Sequence, residues 1–274
     1  MTTDLRPLSL GELLDRVFFL YRKNFVLFAG IAALPHLVLV AMQLAGVGLT
    51  RGKVFTGPIE TVPWTLAVWA VSLGVTAAAH GATVIAVSHL HLGETASISQ
   101  SFAAIKGRIF YLALIMIGYW IGIGVGFVLL IVPGVILALM WALTIPVAVI
   151  EDTGLRDSVN RSAQLTKGHR GRVFVIGLLF LVLFYAVIMI WEVPILAVIG
   201  VMARSHRIVG IPLWSQIALI AGTFISQSLV SPLMTIGLSL MYYDERVRKE
   251  AFDLQHMMSS LDSAPPSIVP AIGT

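Results

Sequence analysis

The sequence predicts an all-α, polytopic transmembrane bundle of six spans with interfacial amphipathic helices, and three observations carry that prediction. Residues 109–150 form a run of 42 without one Asp, Glu, Lys or Arg. Of the 274 residues, 58% are hydrophobic and 12% charged, about half the usual charged share of a soluble domain, and the mean hydropathy is +0.92. The third observation is the one-sided placement of Lys and Arg between the apolar stretches.

Residues 9–23 open the chain as an amphipathic helix. Ser9-Leu10-Gly11-Glu12 has the form of a capping box, in which the Ser9 hydroxyl meets the Glu12 amide and the Glu12 side chain reaches back. Leu10, Leu13, Leu14, Val17, Phe18 and Tyr21 follow at helical spacing, with Glu12, Asp15, Arg16, Arg22 and Lys23 over much of the other face. Two readings stand: a helix lying on the membrane surface, or one docked on the protein's own loops. The first 24 residues are charged and hold no apolar stretch of signal type, so no signal peptide is expected there.

The first span, 25–49, carries Pro35-His36 near its middle, where a kink is expected. A short polar loop with Gly52, Gly57 and Pro58 follows. Pro63 is expected at the first helical position of the second span, 64–92, where its missing donor costs nothing. Residues 97–108 form a second amphipathic segment. The charge-free run comes next. As one helix it would reach roughly 63 Å, about twice the hydrocarbon thickness of a bilayer, so it turns once. Pro133-Gly134 is the strong breaker pair, giving spans 109–132 and 135–150.

A third amphipathic segment, 154–170, precedes the fifth span, 173–191. Residues 195–203 are too short to cross and are expected along the outer interface. The sixth span is 213–243; its helix is expected to run on toward residue 258, closing one membrane domain of residues 1–258. The proline-bearing tail 259–274 reads as disordered. The segments Leu10-Gly11-Glu12-Leu13-Leu14, Ile98-Ser99-Gln100-Ser101-Phe102 and Leu155-Arg156-Asp157-Ser158-Val159 share one form, and Phe25, Phe110 or Phe174 opens the span after each. A threefold repeat of surface helix plus helical hairpin accounts for this; chance similarity is the competing reading.

Of the 18 Lys and Arg, 14 fall before the first span, in 93–108, in 151–172 or after Tyr243, and four fall in the other connections. Both termini are therefore expected in the cytoplasm. This asymmetry accounts for the sequence pI of about 9.6 without nucleic acid. The absence of cysteine excludes disulfides and thiol chemistry.

Candidate chemistry is sparse. His36, His80 and Gln227 fall near the middle of their spans, where polar groups need partners, and form a candidate midplane layer that Ser226, Ser228 and Tyr185 are placed to join. Interhelical hydrogen bonding without turnover is the plainer use of such a layer. Arg156, Arg161, Lys167, Arg170 and Arg172 make the most basic stretch and are expected to meet anionic lipid headgroups or an acidic protein partner. Gly74, Ala78 and Ala82 on the second span, and Gly118, Gly122 and Gly126 on the third, are small-residue stripes expected to pack against each other. His89, His91 and Glu94 suit a fraying helix end better than a metal site, and helix termination explains Glu151-Asp152. No metal, cofactor or catalytic constellation is expected.

Leu5 through Arg16, Tyr21-Arg22-Lys23-Asn24-Phe25, Val132-Pro133-Gly134, Trp141 through Pro146, Leu165 through Arg170, and Tyr242-Tyr243-Asp244 with Arg246 through Glu250 form a set of stretches. Together they resemble the glycerophosphoryl diester phosphodiesterase membrane domain family, and the same resemblance implies the inner membrane of a prokaryotic cell. The resemblance spans residues 5–255 and implies a multi-span membrane protein of prokaryotic type. In some members this domain precedes a catalytic phosphodiesterase barrel. Only 31 residues follow Tyr243, so that barrel and its activity are not expected here. The functional expectation is a non-enzymatic scaffold or accessory subunit with anionic-lipid contacts. The alternative is a transporter or lipid-handling protein using the midplane layer; a cavity reaching His36 and His80 would favour it.

Overall fold

The computed structural model describes residues 8–51, 58–205 and 212–250, and every regular element among them is an α-helix. The expected tail 259–274, the continuation beyond Glu250 and the loop glycines Gly52 and Gly57 lie outside the described residues. In chain order the helices are α1 (Leu10–Lys23), α2 (Phe25–Arg51), α3 (Pro58–His91), α4 (Ile98–Ile105), α5 (Ile109–Leu129), α6 (Ile131–Met140), α7 (Thr144–Ile150), α8 (Leu155–Thr166), α9 (Arg170–Arg204) and α10 (Leu213–Glu250). Taking α6 and α7 as one, six are long and apolar enough to span a membrane: α2, α3, α5, α6–α7, α9 and α10.

The order has a period: a short helix and then two spans, three times over. Each short helix docks on the second span of the unit before it. Thus α4 packs on α3, α8 packs on α7, and α1 closes the circle on α10. The second spans α3, α7 and α10 touch one another at the centre, while α2, α5 and α9 lie around them. α9 rests on α10 and meets α6 only slightly, so the ring is loosest there.

The capping box of α1 forms as read, with Glu12 N–H donating to Ser9 Oγ (3.3 Å) and Ser9 N–H to the Glu12 carboxylate (2.8 Å). Its apolar face docks on the protein itself, though on a helix rather than on loops. Leu13 and Val17 are fully buried, and the Tyr21 hydroxyl donates to the Leu229 carbonyl of α10 at 2.8 Å. Burial pushes the Tyr21 phenol up to about 12, so it remains a donor throughout the physiological range. α3 and α10 run parallel and are locked in register at two points eight residues apart on each helix. These are His80 to Thr235 and Ser88 to Tyr243, both 2.6 Å.

Four expectations need correction. The hairpin breaks at Leu130, which is extended (φ −164°, ψ 150°), and not at Pro133-Gly134. Pro133 sits in the first turn of α6, where the backbone N–H has no intrahelical acceptor to lose. Gly134 supplies close approach: a Cβ there would lie 2.5 Å from the Phe127 ring. The span then breaks a second time, at Trp141–Leu143. The groups freed by that break are satisfied from α8. Ser162 and Thr166 donate to the Met140 carbonyl (2.8 and 3.2 Å), and Leu143 N–H donates to Ser162 Oγ (3.0 Å).

Second, Pro63 lies inside α3, which begins at Pro58. Third, residues 195–203 do not form a separate segment: α9 continues through Pro194 to Arg204. Proline removes one hydrogen bond, and in apolar surroundings the other backbone groups have no better partner than the helix itself. Fourth, the glycine stripe of α5 faces α6, the Trp141 turn and α8, not the small residues of α3. A Cβ on Gly118 would meet Leu155, on Gly122 Trp141, and on Gly126 Leu137 and the Gly134 backbone. The three glycines are holes for large side chains. Ala78 and Ala82 are buried in the core, Gly74 has nothing within 4 Å of its Cβ position, and the close approach of α3 to α5 is made at Gly81 against Leu112.

Candidate functional site

Three helices present polar side chains at helical spacing toward one another. Ser72, Thr76 and His80 lie four apart on α3; Thr223, Gln227, Ser231 and Thr235 lie four apart on α10; His36 and Gln43 share a face of α2. All but Thr235 line a cavity of about 280 Å³, closed on its apolar side by Leu39, Val40, Ile220 and Phe224. The expected layer of His36, His80 and Gln227 therefore converges on one space. From His36 to Gln43, from His80 back to Ser72 and from Ser231 back to Ile220, the lining rises roughly 10–17 Å along each helix. It runs from mid-span toward the end where α2 joins α3.

The two imidazoles are oriented by the protein. His36 Nδ1 lies 2.7 Å from the Ala32 carbonyl, which only accepts, so Nδ1 carries the proton and Nε2 of the neutral ring is an acceptor. His80 Nδ1 lies 2.6 Å from Thr235 Oγ1, and the tautomer of the ring sets which of the two donates. His80 also lines two smaller spaces. One, of about 190 Å³, is shared with Gly177, Phe180, Leu181 and Phe184 of α9; the other, of about 120 Å³, lies against Tyr119, Trp120 and Pro146.

By contrast, the side chains of Gln43, Thr76, Thr223, Gln227 and Ser231 make no hydrogen bond among the described residues. Their polar atoms line the cavity without protein partners. Ser226 and Ser228 are buried off the lining, and Tyr185 is exposed, so none of the three joins the layer.

At the other end of the bundle most polar groups are committed to one another, although Arg170 Nε and Glu245 Oε1 are buried without a hydrogen bond. Asp244 and Glu245 are buried. Asp244 accepts from Arg172 (2.7 Å), Arg248 (2.9 Å) and the Leu8 N–H (2.6 Å), while the Leu8 carbonyl takes Arg172 (2.9 Å) and Arg248. Glu245 meets His169 at 2.7 Å. Glu151 accepts from Arg161 (3.2 Å) and from the Tyr242 hydroxyl (2.8 Å). Burial works against the charge of Arg161, but its hydrogen bonds to Glu250 and Glu151 outweigh that and raise its pKa. Lys249 caps α8 through the carbonyls of Gln164, Leu165 and Lys167, at 2.7–2.8 Å.

This corrects the reading of the basic stretch. Arg161 and Arg172 are internal ion-pair residues; Arg156 and Lys167 are exposed, and Arg170 is half-buried. Glu151-Asp152 is more than a helix stop, since Asp152 (φ 54°) pairs with Arg108 while Glu151 joins the network. His89 pairs with Glu94, whereas His91 is buried and stacked on Tyr243 with ring centroids 4.5 Å apart. The two rings point into different surroundings.

Sequence reasoning missed Gln43, Ser72, Thr76, Thr223, Ser231 and Thr235. The four-residue polar ladders on otherwise apolar spans were the available signal. It also missed Asp244, Glu245 and Arg246, which read as the polar continuation of a helix past the membrane.

Comparison with curated proteins and with solved structures gives no match. A family model, the membrane domain of glycerophosphoryl diester phosphodiesterase, matches residues 110–267. That region takes in the Leu130 hairpin, the Trp141 turn, α8 and the acidic pair of α10; the resembling segments before residue 26 fall outside it. With more than half of its length matched, the chain belongs to the family of the glycerophosphoryl diester phosphodiesterase membrane domain.

Proposed function

We propose that this integral membrane protein binds a small polar or amphiphilic molecule in the cavity between α2, α3 and α10, acting without catalysis as a transporter or lipid-handling protein. One observation carries the proposal: five polar side chains at membrane depth converge on that cavity without a hydrogen bond among the described residues. Unpaired polar groups in apolar surroundings are costly, and five of them converging on one space is the arrangement that a bound polar group would satisfy. The volume lies near the lower end of small-molecule sites. The test is native mass spectrometry of the full chain released from a mild detergent. A bound species that Thr76→Val with Gln227→Leu removes supports the proposal; identical spectra for both proteins refute it and favour the scaffold reading.

We place the ionic end in the cytoplasm of a prokaryotic inner membrane, where exposed Arg156 and Lys167 face anionic lipid or an acidic protein partner. The support is the 14-to-4 asymmetry of Lys and Arg. The chain has no native cysteine. Arg156→Cys in intact cells is therefore expected to resist an impermeant maleimide and to react after permeabilisation; labelling in intact cells reverses the orientation.

A further inference from the structure

We infer that the molecule bound is a single-chain amphiphile with an uncharged, hydroxyl-bearing head, held with its head in the α2–α3–α10 cavity and its hydrocarbon chain in the groove between α9 and α10. This rests on the cavity reading above and adds the ligand class and the second half of the site. The polar cavity and the groove of about 190 Å³ share three lining residues, His80, Gln227 and Ser231, so they meet along one seam. Across that seam the chemistry changes. On the groove side the lining is aromatic and aliphatic, with Phe180 as a buried floor. Leu181 and Met234 at the rim are 51% and 42% exposed, so the groove opens on the bundle's outer, apolar surface. A polar chamber joined to an apolar channel with a lateral mouth matches a head and a chain, not a wholly polar solute.

The head is assigned by what lines the cavity. Imidazoles, carboxamides and hydroxyls are present, and no Asp, Glu, Lys or Arg. A charged headgroup taken there would lose its hydration without gaining a fixed counter-charge, whereas hydroxyls find donors and acceptors in the lining. Gly177 lines the groove, and a Cβ at this position meets nothing within 4 Å, so a larger side chain has room to extend there.

The experiment uses the full chain in nanodiscs and a monoacylglycerol carrying a diazirine at the end of its acyl chain. Labelling is expected on residues 177–184 and 230–234, and excess unlabelled monoacylglycerol removes it. Gly177→Leu fills the channel without a backbone clash and is expected to reduce labelling about tenfold, while Gly200→Leu on the same helix leaves it unchanged. The lysophosphatidic acid of the same chain length is expected to compete at least about tenfold less well. Labelling spread evenly over outward residues such as Val128 and Leu129 overturns the inference, because it describes ordinary boundary lipid. Labelling that Gln227→Leu reduces but Gly177→Leu does not removes the groove and leaves the polar cavity standing. Labelling indifferent to both variants removes both.

Discussion

The two polar regions of this bundle solve the same problem in opposite ways. At the ionic end Asp244 accepts three donors, and Arg161, Tyr242, Arg246, Glu151 and Glu250 close into one network. In the cavity, five side chains reach inward and find nothing of the protein to bond. The difference separates structure from use. The ionic groups are largely paired within the fold, whereas the five cavity groups are unpaired together on one open space.

The largest expected effect falls on the closed region. Arg172→Met leaves Asp244 and Glu245 buried with less positive charge to meet them and removes one of the two guanidinium donors to the Leu8 carbonyl. Removing one partner of a buried pair costs about 3–5 kcal/mol, while Arg156→Met, at an exposed position, is expected within about 0.5 kcal/mol of the parent. Thermal unfolding in one detergent checks both. Equal midpoints for the two variants would dissolve the contrast between the regions.

The boundary between them is the His80–Thr235 bond, where a cavity residue is also a structural one. A cycle of His80→Phe, Thr235→Val and the double variant is expected to give a coupling of about 0.6–1.7 kcal/mol, the range of interhelical hydrogen bonds in membranes. A coupling of zero would move His80 wholly to the open side.

The fold was legible in the sequence because lipid restricts a chain so strongly. Charge-free windows located every span, and the capping box located α1 to the residue. Where the reading slipped, the cause was a local cue with two structural uses. Pro133 marks a helix start as readily as a stop, and Pro194 is tolerated mid-helix where backbone has nowhere better to go. Part of the candidate site was also legible: His36, His80 and Gln227 stand out as lone polar groups in apolar spans, though Gln43 was passed over. Thr76, Thr223 and Ser231 did not, since hydroxyls are ordinary in spans and often bond back to their own helix, as Thr83 does to Ala79. Pairing across the ionic end joins residues 8, 172 and 244, and no pattern along one sequence records a contact of that separation.

The smallest expected change in stability is also the one that discriminates most. Gln227→Leu replaces an unpaired carboxamide by a hydrocarbon of similar size on the cavity wall. With no protein hydrogen bond to lose, the variant is expected to unfold within about 1 kcal/mol of the parent, on the stable side if anything, because an unsatisfied polar group is removed from apolar surroundings. The same substitution is expected to abolish the bound species seen by native mass spectrometry. A leucine that leaves the fold intact and clears the cavity makes Gln227 a ligand contact. One that destabilises by about 2 kcal/mol or more while leaving the bound species in place makes it a packing residue, and the open region then becomes a second, weaker version of the closed one.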